Sequence, residues 1–282
     1  MSGPANAEQR EYWNSDEGAI WVTDEARYDE MLAPFAAALL DAEVPAPDAT
    51  VLDVGCGTGA TTIAAARLAS RGVTTGIDIS GPMIEGARRR AEREGVTNVA
   101  FEVCDAQAES IPTRPDLVLS RFGVMFFDDP VAAFTNLGGA IAPGGRMAFV
   151  CWQPLFVNEW MTVPALAVAE HVPLPEPPAP GTPGPFSFGD ADLVRTVLAD
   201  AGFAEVSVAP FEASLLLGGV GSVDAAVAFL RNTGMGRTLL SAAPPDVVDA
   251  ALAGVRDALA PHHDGDGVRL NAATWIVTAS KP

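Results

Sequence analysis

The sequence predicts an α/β fold: a doubly wound sheet of seven strands, mostly parallel, with helices on both faces. Three observations predict it. From residue 50 onward, short apolar runs alternate with helix-length segments, and this βαβα rhythm specifies a largely parallel sheet covered on both sides. A glycine-rich turn, VLDVGCGTGA at residues 51–60, follows the first run directly. Two further strand-like segments, about 204–212 and 269–279, close the chain around a long insertion. With 282 residues and 49% hydrophobic content, the chain can bury a substantial core.

Before the turn, Thr23 or Asp24 can cap a helix in which Tyr28, Met31, Leu32, Phe35 and Leu39 fall at helical spacing. Pro34 inside it predicts a kink or two short helices. Upstream, Tyr12, Trp13 and Trp21 sit in a weakly periodic segment and read as packing or, together, as a lid formed by residues 1–44. Residues 50–55 read as a buried strand and 58–70 as an Ala-rich helix. A second strand, 73–79, leads to a helix capped by Ser80 and stopped by Gly95. Strands three and four fall at 98–103 and 116–121. Asp129 caps the next helix, with Pro130 at its first position. The PGG at 143–145 turns the chain into strand five, 146–152.

Composition shifts at residue 153. The segment 153–189 holds nine prolines and no Lys or Arg. Its apolar anchors argue against full disorder. Asp190 caps a helix that ends at Gly202, and strand six follows at about 204–212. A helical pair, about 222–233 and 245–260, precedes strand seven at 269–279. A single domain results: a core of about 45–152, 190–212 and 268–282, with cap insertions at about 153–189 and 213–267.

Composition also removes function classes. The formal net charge is −19, and Lys281 is the single lysine. Nucleic-acid binding needs a basic stripe for phosphates, and this chain has little to build one from. Arg88, Arg89, Arg90 and Arg93 form the one cluster and read as a solvated helix end. The apolar runs are too short to span a bilayer, and the N-terminus lacks the basic and apolar regions of a leader. A soluble cytoplasmic protein with a small-molecule partner and no membrane insertion is expected. Cys56, Cys104 and Cys151 are too widely spaced for a zinc site or a disulfide framework. The HHDGDG at 262–267 reads as a surface turn without calcium-loop spacing, so no metal is expected.

Gly55, Gly57 and Ala60 satisfy the pattern of a dinucleotide-binding turn. The glycines let the backbone bend sharply and approach a ligand, and the helix behind them points free N–H groups at the same spot. Asp53 argues against a pyrophosphate there, because two anions would repel. It suits an ammonium instead. Asp78 ends the second strand and can accept hydrogen bonds from both ribose hydroxyls. Asp105 ends the third and can receive an adenine amino group. Three carboxylates on successive strand ends describe a ligand with an amine, a ribose diol and adenine, which is S-adenosylmethionine.

The stretches VLDVGCGTG, GIDIS followed by MIEGAR, CDAQ, DLVLSRFGVMFFDDP and APGGRMAFVCW resemble the class I S-adenosylmethionine-dependent methyltransferases, in their ubiquinone/menaquinone-type methyltransferase-domain branch. The resemblance covers about residues 47–152. It implies a Rossmann-like sheet whose final strand is antiparallel. It also implies that Asp53, Gly55, Gly57 and Gly59, with Cys56 and Thr58 between and beside them, surround the methionine part. Asp78, Ile79 and Met83 would hold ribose and adenine, with Asp105 and Ala106 flanking the adenine. Arg121 and Phe122 would line the cofactor near the acceptor.

The implied reaction is methyl transfer. It gains from proximity and from a water-excluding cap. Tyr28 and Trp21 are the lid candidates. An apolar or aromatic acceptor fits Phe156, Trp160, Phe186 and Phe188 in the 153–189 segment, and the lack of cations there disfavours acyl-CoA or phosphorylated acceptors. Met125, Phe126 and Phe127 read first as packing, and Phe126 is carried as an acceptor contact. His171, beside Glu170, is the best general-base candidate. Two other readings stay open at this point: a non-methylating homologue, such as a cyclase or regulatory subunit, and a nicotinamide-dependent oxidoreductase.

Overall fold

Strands β1 (Thr50–Val54), β2 (Val73–Asp78), β3 (Val99–Val103), β4 (Leu117–Arg121), β5 (Arg146–Trp152), β6 (Ala204–Leu216) and β7 (Arg269–Ser280) form one sheet. The computed structural model describes residues 5–176, 178–179 and 181–282. The parts of the expected lid and insertion at residues 1–4, 177 and 180 lie outside the described residues. Strand order is β3-β2-β1-β4-β5-β7-β6. The first five strands pair parallel, and β7 pairs antiparallel with both β5 and β6. This is the expected seven-stranded, Rossmann-like sheet with its antiparallel strand β7.

Three N-terminal helices precede the sheet: α1 (Ala7–Trp13), α2 (Asp16–Thr23) and α3 (Glu25–Ala42). The sequence had shown one of them. Helix α3 runs unbroken through Pro34. Proline frees the Glu30 carbonyl, but Glu30 is exposed, so solvent can take that bond and the helix continues. Phe35 of α3 is fully buried and meets Phe122, Trp152 and Phe211 edge-on at 5.2–6.1 Å.

Helices α4 (Ala60–Leu68), α5 (Gly81–Arg93) and α6 (Pro130–Ala140) are the crossovers of the parallel half. Ser80 and Asp129 cap α5 and α6 through side-chain oxygens that accept from Met83 N and Ala132 N. The proline-rich segment contains α7 (Glu159–Ala169), and α8 (Ala191–Asp200) follows under the Asp190 cap. Between β6 and β7 lie α9 (Val223–Asn232), α10 (Gly234–Leu240) and α11 (Pro245–Leu259). Helix α10 is an addition to the expected pair. No described helix is long and apolar enough to cross a membrane.

Candidate active site

Strand β1 lies between β2 and β4, so the chain leaves neighbouring strand ends in opposite directions. Such a switch point opens a crevice at the C-terminal edge of the sheet. The turn after β1 lines it. Gly55, Gly57 and Gly59 all have left-handed φ, at 66°, 54° and 83°. A Cβ on Gly55 would fall 2.6 Å from the Gly123 Cα, where the turns after β1 and β4 touch. A Cβ on Gly57 would meet one atom, Met83 Sδ, at 3.8 Å, so this glycine faces open space.

The three carboxylates stand on adjacent strand ends and are nearly or fully buried. Asp53 accepts from Thr62 Oγ1 at 2.6 Å through Oδ2, while its buried Oδ1 has no partner. Burial pushes its carboxyl up to about 7, against the Thr62 bond and the nearby Arg121. Asp78 accepts from Gly57 N at 2.8 Å and Ser80 N at 2.9 Å, which locks the glycine turn to β2. Burial raises its carboxyl too, opposed by those two bonds. Asp105 accepts from Asn6 Nδ2 at 2.7 Å and Gln107 N at 3.0 Å.

One cavity of about 770 Å³ joins these strand ends to the cap. Of the cofactor residues expected from sequence, Gly59 alone stays outside it. Gly59 N-caps α4, and a Cβ there would strike the Phe101 ring at 2.9 Å. Its role is to shape the turn.

Trp21, Phe126 and Trp160 line the cavity. Phe156 does not. It is 79% exposed in a short turn after β5, because the chain there runs over the surface before α7 begins. His171 is exposed beyond the end of α7, next to Gly254 of α11 and outside the cavity. The wall of α7 that faces the cavity is Trp160, Met161, Pro164, Ala165 and Val168 instead. Phe188 is buried against Phe134 of α6 and Phe149 of β5, and Phe186 packs against Trp160 from outside the lining.

Sequence reasoning missed Asn6, Glu17 and Asp29, which all line the cavity. Asn6 is buried and exchanges hydrogen bonds with Asp128 at 2.7 and 2.9 Å, so the N-terminal segment is fastened over Asp105. Asn14 bridges Ile79 O and Gly81 N, both at 3.0 Å, over the turn after β2. Glu17 accepts from Trp21 Nε1 at 3.2 Å and pairs with Arg237 of α10 at 2.7 Å. One signal for α2 was available: Ser15 followed by Asp16 and Glu17 is a helix start, and Ser15 does accept from Glu17 N.

A methyltransferase-domain family model matches residues 45–170. An aklanonic acid methyltransferase from Streptomyces sp. (strain C5) is 35% identical over 152 residues, covering 51% of this chain and 69% of that protein. The nocamycin O-methyltransferase of Saccharothrix syringae is 30% identical over 187 residues, covering 63% and 67%. The chain belongs to the class I S-adenosylmethionine-dependent methyltransferases. Its fold matches Haemonchus contortus phosphoethanolamine N-methyltransferase 2, solved with S-adenosylmethionine, at a TM-score of 0.57 and 18% identity, over 97% of this chain and 60% of that one. Membership replaces the nicotinamide reading.

The methyltransferase's cofactor is S-adenosylmethionine, and the residues present fit it. Buried polar atoms without partners are uncommon in folded proteins. Here Gln9 Oε1, Asp53 Oδ1 and Thr61 Oγ1 are such atoms, and all three residues line the cavity. The free Asp53 oxygen suits the ammonium of an amino acid. The methyltransferase also surrounds its cavity with aromatic rings in series. Trp21 stacks on Tyr28 at 3.7 Å, Trp13 meets Phe126 edge-on at 5.2 Å, and Tyr28 meets Phe229 at 5.3 Å.

Proposed function

We propose that this methyltransferase methylates a small, apolar or aromatic metabolite held under the cap. The observation that carries this reading is the continuity of the cavity, which runs from three strand-end carboxylates to a wall of Trp160, Phe229, Leu240 and Leu252. The cofactor supplies an electrophilic methyl on a sulfonium. Asp53, Asp78 and Asp105 hold its polar ends and so fix where that methyl points. Orientation of this kind can supply up to about 7–11 kcal/mol of a barrier. The lid helices α1–α3 and the two insertions, about 153–189 and 213–267, exclude water from the site. The aromatic rings present flat apolar faces to the acceptor.

Among the described residues no histidine lines the cavity, and His171 is not assigned as a base. Glu17 and Asp29 face the cavity but are engaged with Arg237 and Arg90. The reading is therefore that orientation does most of the work and that the acceptor brings an acidic proton of its own. An enolic, phenolic or carboxylic oxygen meets that requirement. The relatives' own names, an acid and an O-methyltransferase, support a natural-product acceptor of this kind.

The test is incubation with methyl-labelled S-adenosylmethionine and a panel of acceptors. Hydroxylated polycyclic aromatics are expected to gain one labelled methyl, while phosphorylated acceptors do not. A product formed without mass gain would instead show a non-methylating enzyme. Trp160→Ala is expected to raise the acceptor KM by about tenfold with cofactor affinity unchanged, measured by steady-state kinetics and calorimetry.

A further inference from the structure

Among the described residues, the lid and the cap bring four hydroxyl-bearing residues to the cavity wall: Tyr12, Tyr28, Thr233 and Thr238. Two of the hydroxyls are spent locally. Thr233 Oγ1 donates to the Leu230 carbonyl at 2.7 Å, and Thr238 Oγ1 donates to the Gly234 carbonyl at 2.8 Å. Tyr12 is exposed, and its hydroxyl lies against Gly234 beside the Glu17 carboxylate.

Tyr28 differs from these three. It is 5% exposed and lines the cavity, yet its hydroxyl has no hydrogen-bond partner among the described residues. Burying an unpaired hydroxyl is unfavourable, so the group is kept for a partner that the cavity receives. Its ring is held from both sides. Trp21 of α2 stacks on it at 3.7 Å and 5°, and Phe229 of α9 meets it at 5.3 Å. Trp21 is itself fixed by its bond to Glu17. Lid and cap together therefore set where the hydroxyl points.

The groups that act on it through space are Glu17 of α2, Asp24, Tyr12 of α1 and Arg237 of α10, rather than the strand-end carboxylates. The hydroxyl thus belongs to the acceptor end of the cavity. Burial, with Glu17 and Asp24 beside it, raises its pKa far above the usual tyrosine value. It keeps its proton and is a donor.

We propose that the Tyr28 hydroxyl binds the reacting oxygen of the acceptor and holds it as an oxyanion facing the methyl. The inference rests on the acceptor reading above and deepens it. The acceptor releases its proton to solvent as it enters. Tyr28 donates to one lone pair of the resulting oxyanion, which lowers the acceptor's pKa in the site. Another lone pair forms the bond to the methyl carbon. The carbon–sulfur bond breaks, and its electrons stay on sulfur as the neutral thioether of S-adenosylhomocysteine. Tyr28 retains its proton throughout. The same contact selects the accepting atom. A neutral amine has one lone pair, which Tyr28 would occupy, whereas an oxyanion has others to spare.

The test compares wild type with Tyr28→Phe, which keeps the ring and its packing. The probes are a hydroxyanthraquinone, its amino counterpart and S-adenosylhomocysteine. Wild type is expected to methylate the phenol and not the amine. Tyr28→Phe is expected to lower kcat toward the phenol about 10- to 100-fold. The acidic limb of its kcat profile moves up by about one to two pH units, because the bound phenol ionises less readily. Calorimetry is expected to show unchanged affinity for S-adenosylhomocysteine. A weakened S-adenosylhomocysteine affinity with an unmoved limb overturns the proposal, because it puts the hydroxyl on the cofactor. A lowered kcat without a shifted limb also overturns it, because packing alone would do that. If thermal melts show that Tyr28→Phe does not fold, the wild-type comparison carries the test, and methylation of the amine at a rate comparable to the phenol refutes it. Wild type that binds S-adenosylhomocysteine but methylates no hydroxylated aromatic refutes the acceptor reading, and the Tyr28 contact falls with it.

Discussion

Burial pushes the Asp53 carboxyl from the ordinary 3.8 up to about 7. The folded pKa is raised, so the proton-bound form contributes stability that is fully present below about pH 4 and lost as pH rises through about 7. Asp53→Asn keeps position 53 neutral at every pH. Thermal melts of the cofactor-free protein at pH 8 are expected to show the variant more stable by on the order of a few kcal/mol. Calorimetry is expected to show its cofactor affinity reduced, because the ammonium loses its counter-charge. For wild type, S-adenosylhomocysteine affinity is expected to fall as pH drops below about 7, since Asp53 must first lose its proton. Gly55 obeys a different constraint. Its left-handed φ and the Gly123 backbone 2.6 Å from a would-be Cβ leave no room for a side chain. Gly55→Ala is expected to cost about 2 kcal/mol or more, read from the denaturant midpoint.

At the scale of elements, the lid is fastened at its polar ends. Asn6 holds Asp105 and Asp128, Asn14 holds the turn after β2, and Glu17 joins α2 to α10 through Arg237. Gly234 at the start of α10 lets the two parts close, since a Cβ there would lie 2.2 Å from the Tyr12 hydroxyl. Arg237→Met leaves the buried Glu17 carboxylate without its cation. Amides of α2 are then expected to exchange about tenfold faster, with α4 and α5 unchanged, by hydrogen-exchange mass spectrometry. The sequence was most readable where one element has one strong local cause. Strand five, 146–152, lies where its apolar run begins after the PGG turn, and the Ser80, Asp129 and Asp190 caps sit as expected. It was least readable where tertiary packing overrides composition. Helix α7 tolerates Pro164 while packing on α11, and α10 forms from a glycine-containing segment capped by Thr233. The helix after β1 starts at Ala60 because three left-handed glycines use up the preceding residues.

For the molecule as a whole, the strand-end carboxylates were legible because the switch point of the sheet fixes where strand ends converge. The cap residues were not, because their approach to the cavity depends on contacts between distant segments. Phe156 and Phe188 have the same residue type in the same segment, yet one is 79% exposed and the other 2%. The sheet edge, lid and insertions enclose one cavity, so a ligand that fills it stabilises the entire fold. At a ligand concentration of 100 times Kd the gain is about 2.7 kcal/mol. The decisive measurement is a calorimetric titration of the full chain with S-adenosylhomocysteine, repeated with Asp78→Asn and with a nicotinamide dinucleotide. Saturable one-to-one binding by wild type, weakened about 10- to 100-fold in Asp78→Asn, with no dinucleotide binding, is expected. Absence of S-adenosylhomocysteine binding, or binding untouched by Asp78→Asn, would contradict it.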